Sequence, residues 1–291
     1  MMVMLLGLVA AVLYGTGDFL GGLVTRKAPV LAVLTVAETA GVIVALPVAV
    51  MWPGPMSLSG LAWGASAGLA GGLGLIIFYQ GLATGPMSVV APVSGLVSTV
   101  LPVAVALAEG ERPGFGVYAG ALLCLAAIVL TSSAGQASLA RGASAAPPHR
   151  SPGPGRALGY GSAAGACFGL FFLLIRNAGQ SGQLWPVAAG RIGELAVVLI
   201  TAAALRRAPL PRGTGGRLLL PAAGAGAIDV IANISYVAAT RAGMFGLAVV
   251  LASLYPGVTV LLARVVLGER LRWVQQAGLG LAAIGIILVA A

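Results

Sequence analysis

The chain contains one long unit twice. Gly110-Glu111-Arg112 and Gly268-Glu269-Arg270 lie 158 residues apart. In the apolar stretches that follow, Ala119, Gly120, Leu123, Ile128 and Leu130 keep step with Ala277, Gly278, Leu281, Ile286 and Leu288. Nearer the start, Tyr14-Gly15 matches Phe168-Gly169 at an offset of 154. The two offsets differ by only four residues, so whole halves correspond and not just short motifs. Any fold must therefore accommodate two copies of the same unit. If that unit crosses a membrane an odd number of times, the copies sit in it in opposite orientations.

Composition points to a membrane. Mean hydropathy is +1.04; 59% of the residues are hydrophobic and 8% charged, against roughly a quarter charged in soluble domains. Such a chain cannot clothe itself in polar surface. Its 44 glycines suit helices whose backbones touch inside a bilayer. A membrane barrel would alternate polar and apolar residues, whereas these runs are continuous. The lipid bilayer is thus an expected partner. The net charge of +9 marks loops between spans and does not suggest nucleic-acid binding. Cys124, Cys167 and His149 offer neither a disulfide framework nor a metal site, and no cofactor is expected. The first apolar stretch reads as a retained span, because no basic residue precedes Arg26 and no cleavage site is evident.

At about 20 residues per span, the hydropathy predicts an all-α polytopic membrane protein. Ten transmembrane helices are expected as two inverted five-helix repeats. Spans one to five are expected near 3–24, 29–51, 60–82, 86–108 and 114–133. Spans six to ten are expected near 157–176, 184–205, 217–239, 243–266 and 272–290. The first repeat is 1–133 and the second 157–291. Between them, 134–156 is rich in Pro, Gly, Ser and Arg and reads as a flexible linker. Pro53-Gly54-Pro55, Gly85-Pro86 and Pro209-Leu210-Pro211 separate neighbouring spans. Lys and Arg gather in the loops after the odd-numbered spans, from Arg26 and Lys27 to Arg270 and Arg272, which by the positive-inside rule places both termini outside.

Ionisable groups within spans are the place to look for function, because each costs at least about 2.5–3.5 kcal/mol at the centre of a membrane helix. Of the seven acidic residues, Asp18, Glu38, Glu194 and Asp229 fall inside predicted spans, and Arg191 joins them. Asp229, Asn233 and Tyr236 recur at i, i+4 and i+7 on one face of span eight, as a stripe lining a cavity or as hydrogen-bonding glue between helices. Tyr14 and Asp18 repeat that spacing in span one, with Asp18, near the membrane boundary, as a site residue or a simple interfacial carboxylate. Glu38 lies central in span two beside Thr35 and Thr39, a buried carboxylate without a strong partner, as a proton-coupling site or an inert buried acid. Arg191 and Glu194 are i, i+3 neighbours. They form either a self-neutralised pair or a site in which the planar donor fork of Arg191 faces a carboxylate or phosphate. Tyr79, Gln80, Ser94, Ser98, Ser253 and Tyr255 are weaker polar candidates. Pro92 and Pro102 in span four and Pro256 in span nine are expected to bend their helices. Gly64, Gly68 and Gly72, and likewise Gly161, Gly165 and Gly169, form ridges for close helix contact. Glu111-Arg112 and Glu269-Arg270 read as capping and anchoring groups.

Several of these segments together resemble the drug/metabolite transporter superfamily, in its ten-helix branch with two EamA-type repeats. Leu267-Gly268-Glu269-Arg270-Leu271 with Gln276-Ala277-Gly278 resembles the closing signature of that family. Ser253-Leu254-Tyr255-Pro256 resembles its Leu-x-Pro element, and Tyr14-Gly15 its aromatic-glycine pair. Arg191 falls where members often carry an arginine, whereas the first repeat has Glu38 near the matching place. The resemblance implies an inner-membrane (plasma-membrane) secondary transporter for a small organic solute, an exporter or exchanger, with both termini cytoplasmic. Tyr14, Glu38, Tyr79, Arg191, Asp229, Asn233 and Tyr236 are the expected cavity residues, and Glu38 or Asp229 the proton-linked carboxylate. No enzymatic activity is expected: an intramembrane transferase would need clustered carboxylates for metal and phosphate, and a receptor would not need central charges. A flippase for lipid or isoprenoid phosphates is a variant within transport. Oligomeric state, monomer or homodimer, is left open.

Overall fold

The computed structural model describes residues 1–130 except 53, 55, 86, 113, 117, 121, 124, 125, 128 and 129, together with 154–178, 184–208, 216–267 and 273–290. The regular elements described are all helices: α1 (Met2–Thr25), α2 (Val30–Met51), α3 (Leu58–Thr84), α4 (Met87–Ala108), α5 (Pro154–Ala178), α6 (Trp185–Ala204), α7 (Gly216–Ala242), α8 (Phe245–Ala252), α9 (Tyr255–Leu267) and α10 (Trp273–Ala290). Described residues between 115 and 130 are helical too. Among the described residues, eight segments are long and apolar enough to cross a membrane, with α8 and α9 together making one of them. Leu5, Ile43, Leu69, Leu73, Ile200 and Ile231 are exposed on the outside, as suits helices facing lipid.

The boundaries follow the sequence reading to within a few residues, with two differences. Pro154, Gly155 and Arg156, assigned to the linker, form the first turn of α5. Proline fits there because its missing N–H is an unpaired donor in any first turn. The rest of the linker, Cys124, His149, Pro209-Leu210-Pro211 and Gly268-Glu269-Arg270 lie outside the described residues. The second difference concerns the prolines. Span nine breaks outright between Ala252 and Tyr255, just before Pro256, whereas α4 continues through both Pro92 and Pro102.

Helices of one half pack mainly on helices of the other. α3 lies against α5 and α6, α1 against α7, α8 and α9, α2 against α6 and α7, and α4 against α5 and α8. The pattern survives exchange of the halves. Counting α5 as span six, α6 as seven, α7 as eight and α8–α9 as nine, the pair α3–α6 exchanges with α7–α2, and α4–α5 exchanges with α8–α9 on α1.

Glycine makes these contacts possible. A methyl group at Gly64 would meet the backbone of Pro186, one at Gly68 the backbone of Gly190, and one at Gly72 the backbone of Glu194. That ridge on α3 therefore lies along α6 with nothing between the main chains. Gly161, Gly165 and Gly169 do the same against Val90, Ser94 and Ser98 of α4. The exchange partner of the Gly68–Gly190 contact is Gly226 of α7 against the backbone of Ala37 in α2. This fixes the internal correspondence at 158 for α3 and α7 and at 153 for α2 and α6.

Glu111 follows the turn made by Gly110, whose φ of +89° is one that L side chains rarely adopt. Its carboxylate accepts the N–H groups of Phe245 at 2.7 Å and Gly246 at 3.0 Å. It thus caps a helix of the opposite half and satisfies donors that α8 leaves open.

Gly226→Ala is expected to destabilise the protein by about 1–3 kcal/mol, the usual cost of overpacking a filled contact, seen as a lower midpoint of thermal unfolding in detergent. Gly224→Ala on the same helix, which meets nothing within 4 Å, should leave the midpoint unchanged.

Candidate functional site

The centre of the molecule is built on Arg191. Its side chain is 2% exposed, and carboxylates from three helices converge on it. Nη1 donates to Glu38 Oε2 of α2 at 3.0 Å and lies 2.9 Å from Glu194 Oε2 of its own helix. Nη2 donates to Asp229 of α7. Small residues make the convergence possible: a side chain at Gly41 would press on Arg191 Cδ, and one at Gly71 on Glu194 Oε1. The network continues through Asn233, whose amide donates to Asp229 at 3.3 Å and whose oxygen accepts the Tyr14 hydroxyl at 2.5 Å. Four helices, α1, α2, α6 and α7, are joined in one polar chain. Arg191 and Glu38 are 153 residues apart, the offset that relates α6 to α2, so this ion pair links equivalent positions of the two halves.

Beside this chain lies a cavity of about 410 Å³ of empty space, opening included, lined by Tyr14, Asp18, Asp229 and Asn233 on one side and by Phe168, Phe172, Gly71 and Leu75 on the other. Arg191, Glu194, Phe171 and Tyr255 complete it. Aromatic rings crowd the cavity and make it a narrow slot. The two walls correspond residue by residue. Tyr14 and Asp18 answer to Phe168 and Phe172 at 154, and Asp229 and Asn233 to Gly71 and Leu75 at 158. Each half contributes to both walls: the first gives Tyr14 and Asp18 to the polar side and Gly71 and Leu75 to the apolar side, and the second gives Asp229 and Asn233 to the polar side and Phe168 and Phe172 to the apolar side. Edge-to-face packing ties the walls together, with Tyr14 6.1 Å from Phe172 and 6.4 Å from Tyr255.

The expected site residues fall into two groups. Tyr14, Arg191, Asp229 and Asn233 line the cavity. Glu38 is sealed behind Arg191 and is not partnerless, because the arginine of the opposite half supplies the counter-charge that its own helix lacks. Tyr79 is buried against Gly21 and Phe78. Tyr236 donates to the Phe172 carbonyl at 3.2 Å and stacks on that ring at 4.7 Å. Both tyrosines stand outside the lining. The Nη atoms of Arg191 are already engaged by three carboxylates. Residues absent from the expected set also reach the cavity: Asp18, Glu194, Tyr255, Phe168, Phe171 and Phe172. Phe168 carried a signal, because it is the repeat partner of Tyr14.

Helices that pack backbone to backbone across two repeated halves, with ionised groups at the seam, define a multi-pass membrane protein with an internal polar site. The model of the EamA-like transporter family matches residues 1–133 and 156–291, and the chain belongs to that family. Fourteen chains of solved structures also match. One of these, titled only as the crystal structure of a protein, is 20% identical, with 98% of this chain and 95% of that one covered at a TM-score of 0.69. At that identity the likeness speaks for the fold alone. No curated protein matches the sequence.

Arg191→Ala would strip three carboxylates of their cation. The expected loss is about 3–5 kcal/mol, as for other broken buried ion pairs. Tyr14→Phe, which removes one neutral hydrogen bond, should cost about 1 kcal/mol. Thermal unfolding of the two variants in detergent checks the order, and equal midpoints would contradict it.

Proposed function

We propose that this chain is a ten-span secondary transporter of the cell membrane, working by alternating access, whose two halves are inverted copies that rock about the seam cavity. It moves a small organic solute as an exporter or exchanger. The observation that carries the reading is the cavity itself: it lies between the halves, draws equivalent positions from both, and holds ionisable groups at the middle of apolar helices, where such groups are retained for function.

Inversion is supported by the helix ends. Gly22, near the end of α1, meets Met87 at the start of α4. In the equivalent helix α5, Arg176 near its end pairs at 2.7 Å with Glu109, past the finish of α4. The two equivalent helices thus run toward opposite ends of α4, as an odd number of spans per repeat requires.

Among the carboxylates, Asp229 is the better candidate for proton coupling, because it lines the cavity and Glu38 does not. In proteoliposomes, solute flux driven by an imposed proton gradient should fall in Asp229→Asn by roughly tenfold or more, a loss of about 1.4 kcal/mol at the limiting step. If flux and its response to the gradient were unchanged in both Asp229→Asn and Glu38→Gln, proton coupling at this cluster would be ruled out.

A further inference from the structure

The charge of the cavity is unbalanced. Arg191 is the one basic residue among those lining it. It is already paired with Glu38, Glu194 and Asp229. Asp18 then adds a fourth carboxyl group. It faces the cavity and has no hydrogen bond and no ion pair among the described residues. The site therefore offers two cavity-facing carboxylates, Asp18 and Asp229, and no unengaged cation. Phe168, Phe171 and Phe172 line the cavity too, as do the rings of Tyr14 and Tyr255.

We propose that the cavity binds an amphipathic organic cation: a primary or secondary amine that carries an aromatic or compact apolar group and no carboxylate. The ammonium sits on the side of Asp18 and Asp229, and its apolar part lies against the phenylalanine wall. This deepens the transport reading and rests on it for the assumption that the cavity is the solute site. Each wall contributes its own discrimination. Bringing an anion there would set it against two carboxylates, while both Nη atoms of Arg191 are already engaged by acids. A neutral solute would leave Asp18 without a counter-charge, so the carboxyl would have to take up a proton to stay in a low-dielectric slot. An inorganic cation would gain nothing from three phenyl rings, whereas an alkylammonium is attracted by aromatic faces at close range. A zwitterionic amino acid shares the ammonium but brings a carboxylate that the site cannot receive.

Asp18 is the residue that makes this choice. Its repeat partner is Phe172, so the same position gives a carboxylate to one wall and a ring to the other. A solute with a charged end and an apolar end meets both. Across a repeat of this kind, divergence of a single position has produced the two kinds of contact that an aromatic amine needs.

The test is binding to the purified full-length protein, by calorimetry in detergent, of three compounds with the same ring: phenethylamine, phenylalanine and 2-phenylethanol. The expected result is that phenethylamine binds at least roughly tenfold more tightly than either of the others, and that Asp18→Asn removes the difference. Equal affinities, a preference for phenylalanine, or no binding of phenethylamine at millimolar concentration would each overturn the proposal. So would an unchanged preference in Asp18→Asn. Should that variant fail to fold, the three ligands on the unaltered protein still decide. Failure of the transport reading would look different: phenethylamine would bind, yet reconstituted vesicles would show no flux of it.

Discussion

The arginine at position 191 holds the molecule's interior in place. A guanidinium taken out of water is costly, and it is tolerated here because carboxylates from α2, α6 and α7 surround it. Each of those acids is in turn tolerated only because the arginine is there. The cluster therefore constrains the helices as a set. α2 must come close enough for Glu38, and Gly41 gives it the room. α3 must pass without side chains at Gly68, Gly71 and Gly72 so that α6 can present Arg191 and Glu194 inward. The close backbone packing and the ionic centre are two aspects of one requirement.

Because the pair Arg191–Glu38 joins equivalent positions, opposite charges stand where a symmetric repeat would put like ones. The same substitution of unlike for like runs through the cavity. Tyr14 corresponds to Phe168, Asp18 to Phe172, Asp229 to Gly71 and Asn233 to Leu75. The scaffold remained common to both halves because backbone contacts tolerate little change, while the side chains at the seam were free to diverge. A polar wall and an apolar wall resulted, held at a fixed separation by helices that correspond to one another.

Much of the architecture was legible in the sequence, and less of the site. Continuous apolar runs mark helices in a bilayer unambiguously, so the described spans begin and end close to where hydropathy puts them. The glycine ridges likewise announced close packing, although not which helix each would meet. Pro256 signalled a bend, but it did not reveal that span nine would part at Ser253 and Leu254. Pro92 and Pro102, by contrast, lie within one continuous helix, as the single span over 86–108 implied. The stripe Asp229, Asn233, Tyr236 was correct as a face of one helix. Yet seven residues along a helix is two turns, and Tyr236 ends up against Phe172 while the other two reach the cavity. Glu38 looked partnerless because its counter-charge lies 153 residues away, a distance that local spacing cannot bridge. The phenylalanine wall was hidden for a simpler reason: in so apolar a chain, an aromatic residue beside a solute site looks like any other residue beside lipid. Only the repeat offset from Tyr14 singled out Phe168.

The central claim is that the seam between the halves is a solute pathway open to water from one side at a time. Its most direct measurement is the reactivity of single cysteines placed at Asn233 and at its repeat partner Leu75, with Cys124 and Cys167 replaced by alanine. The probe is a membrane-impermeant thiol reagent applied to either face of oriented vesicles. Both positions are expected to react, each with accessibility that shifts between faces as a transported solute is added. If both positions remain unreactive from either face, with and without solute, the cavity is an enclosed structural void and the account is wrong.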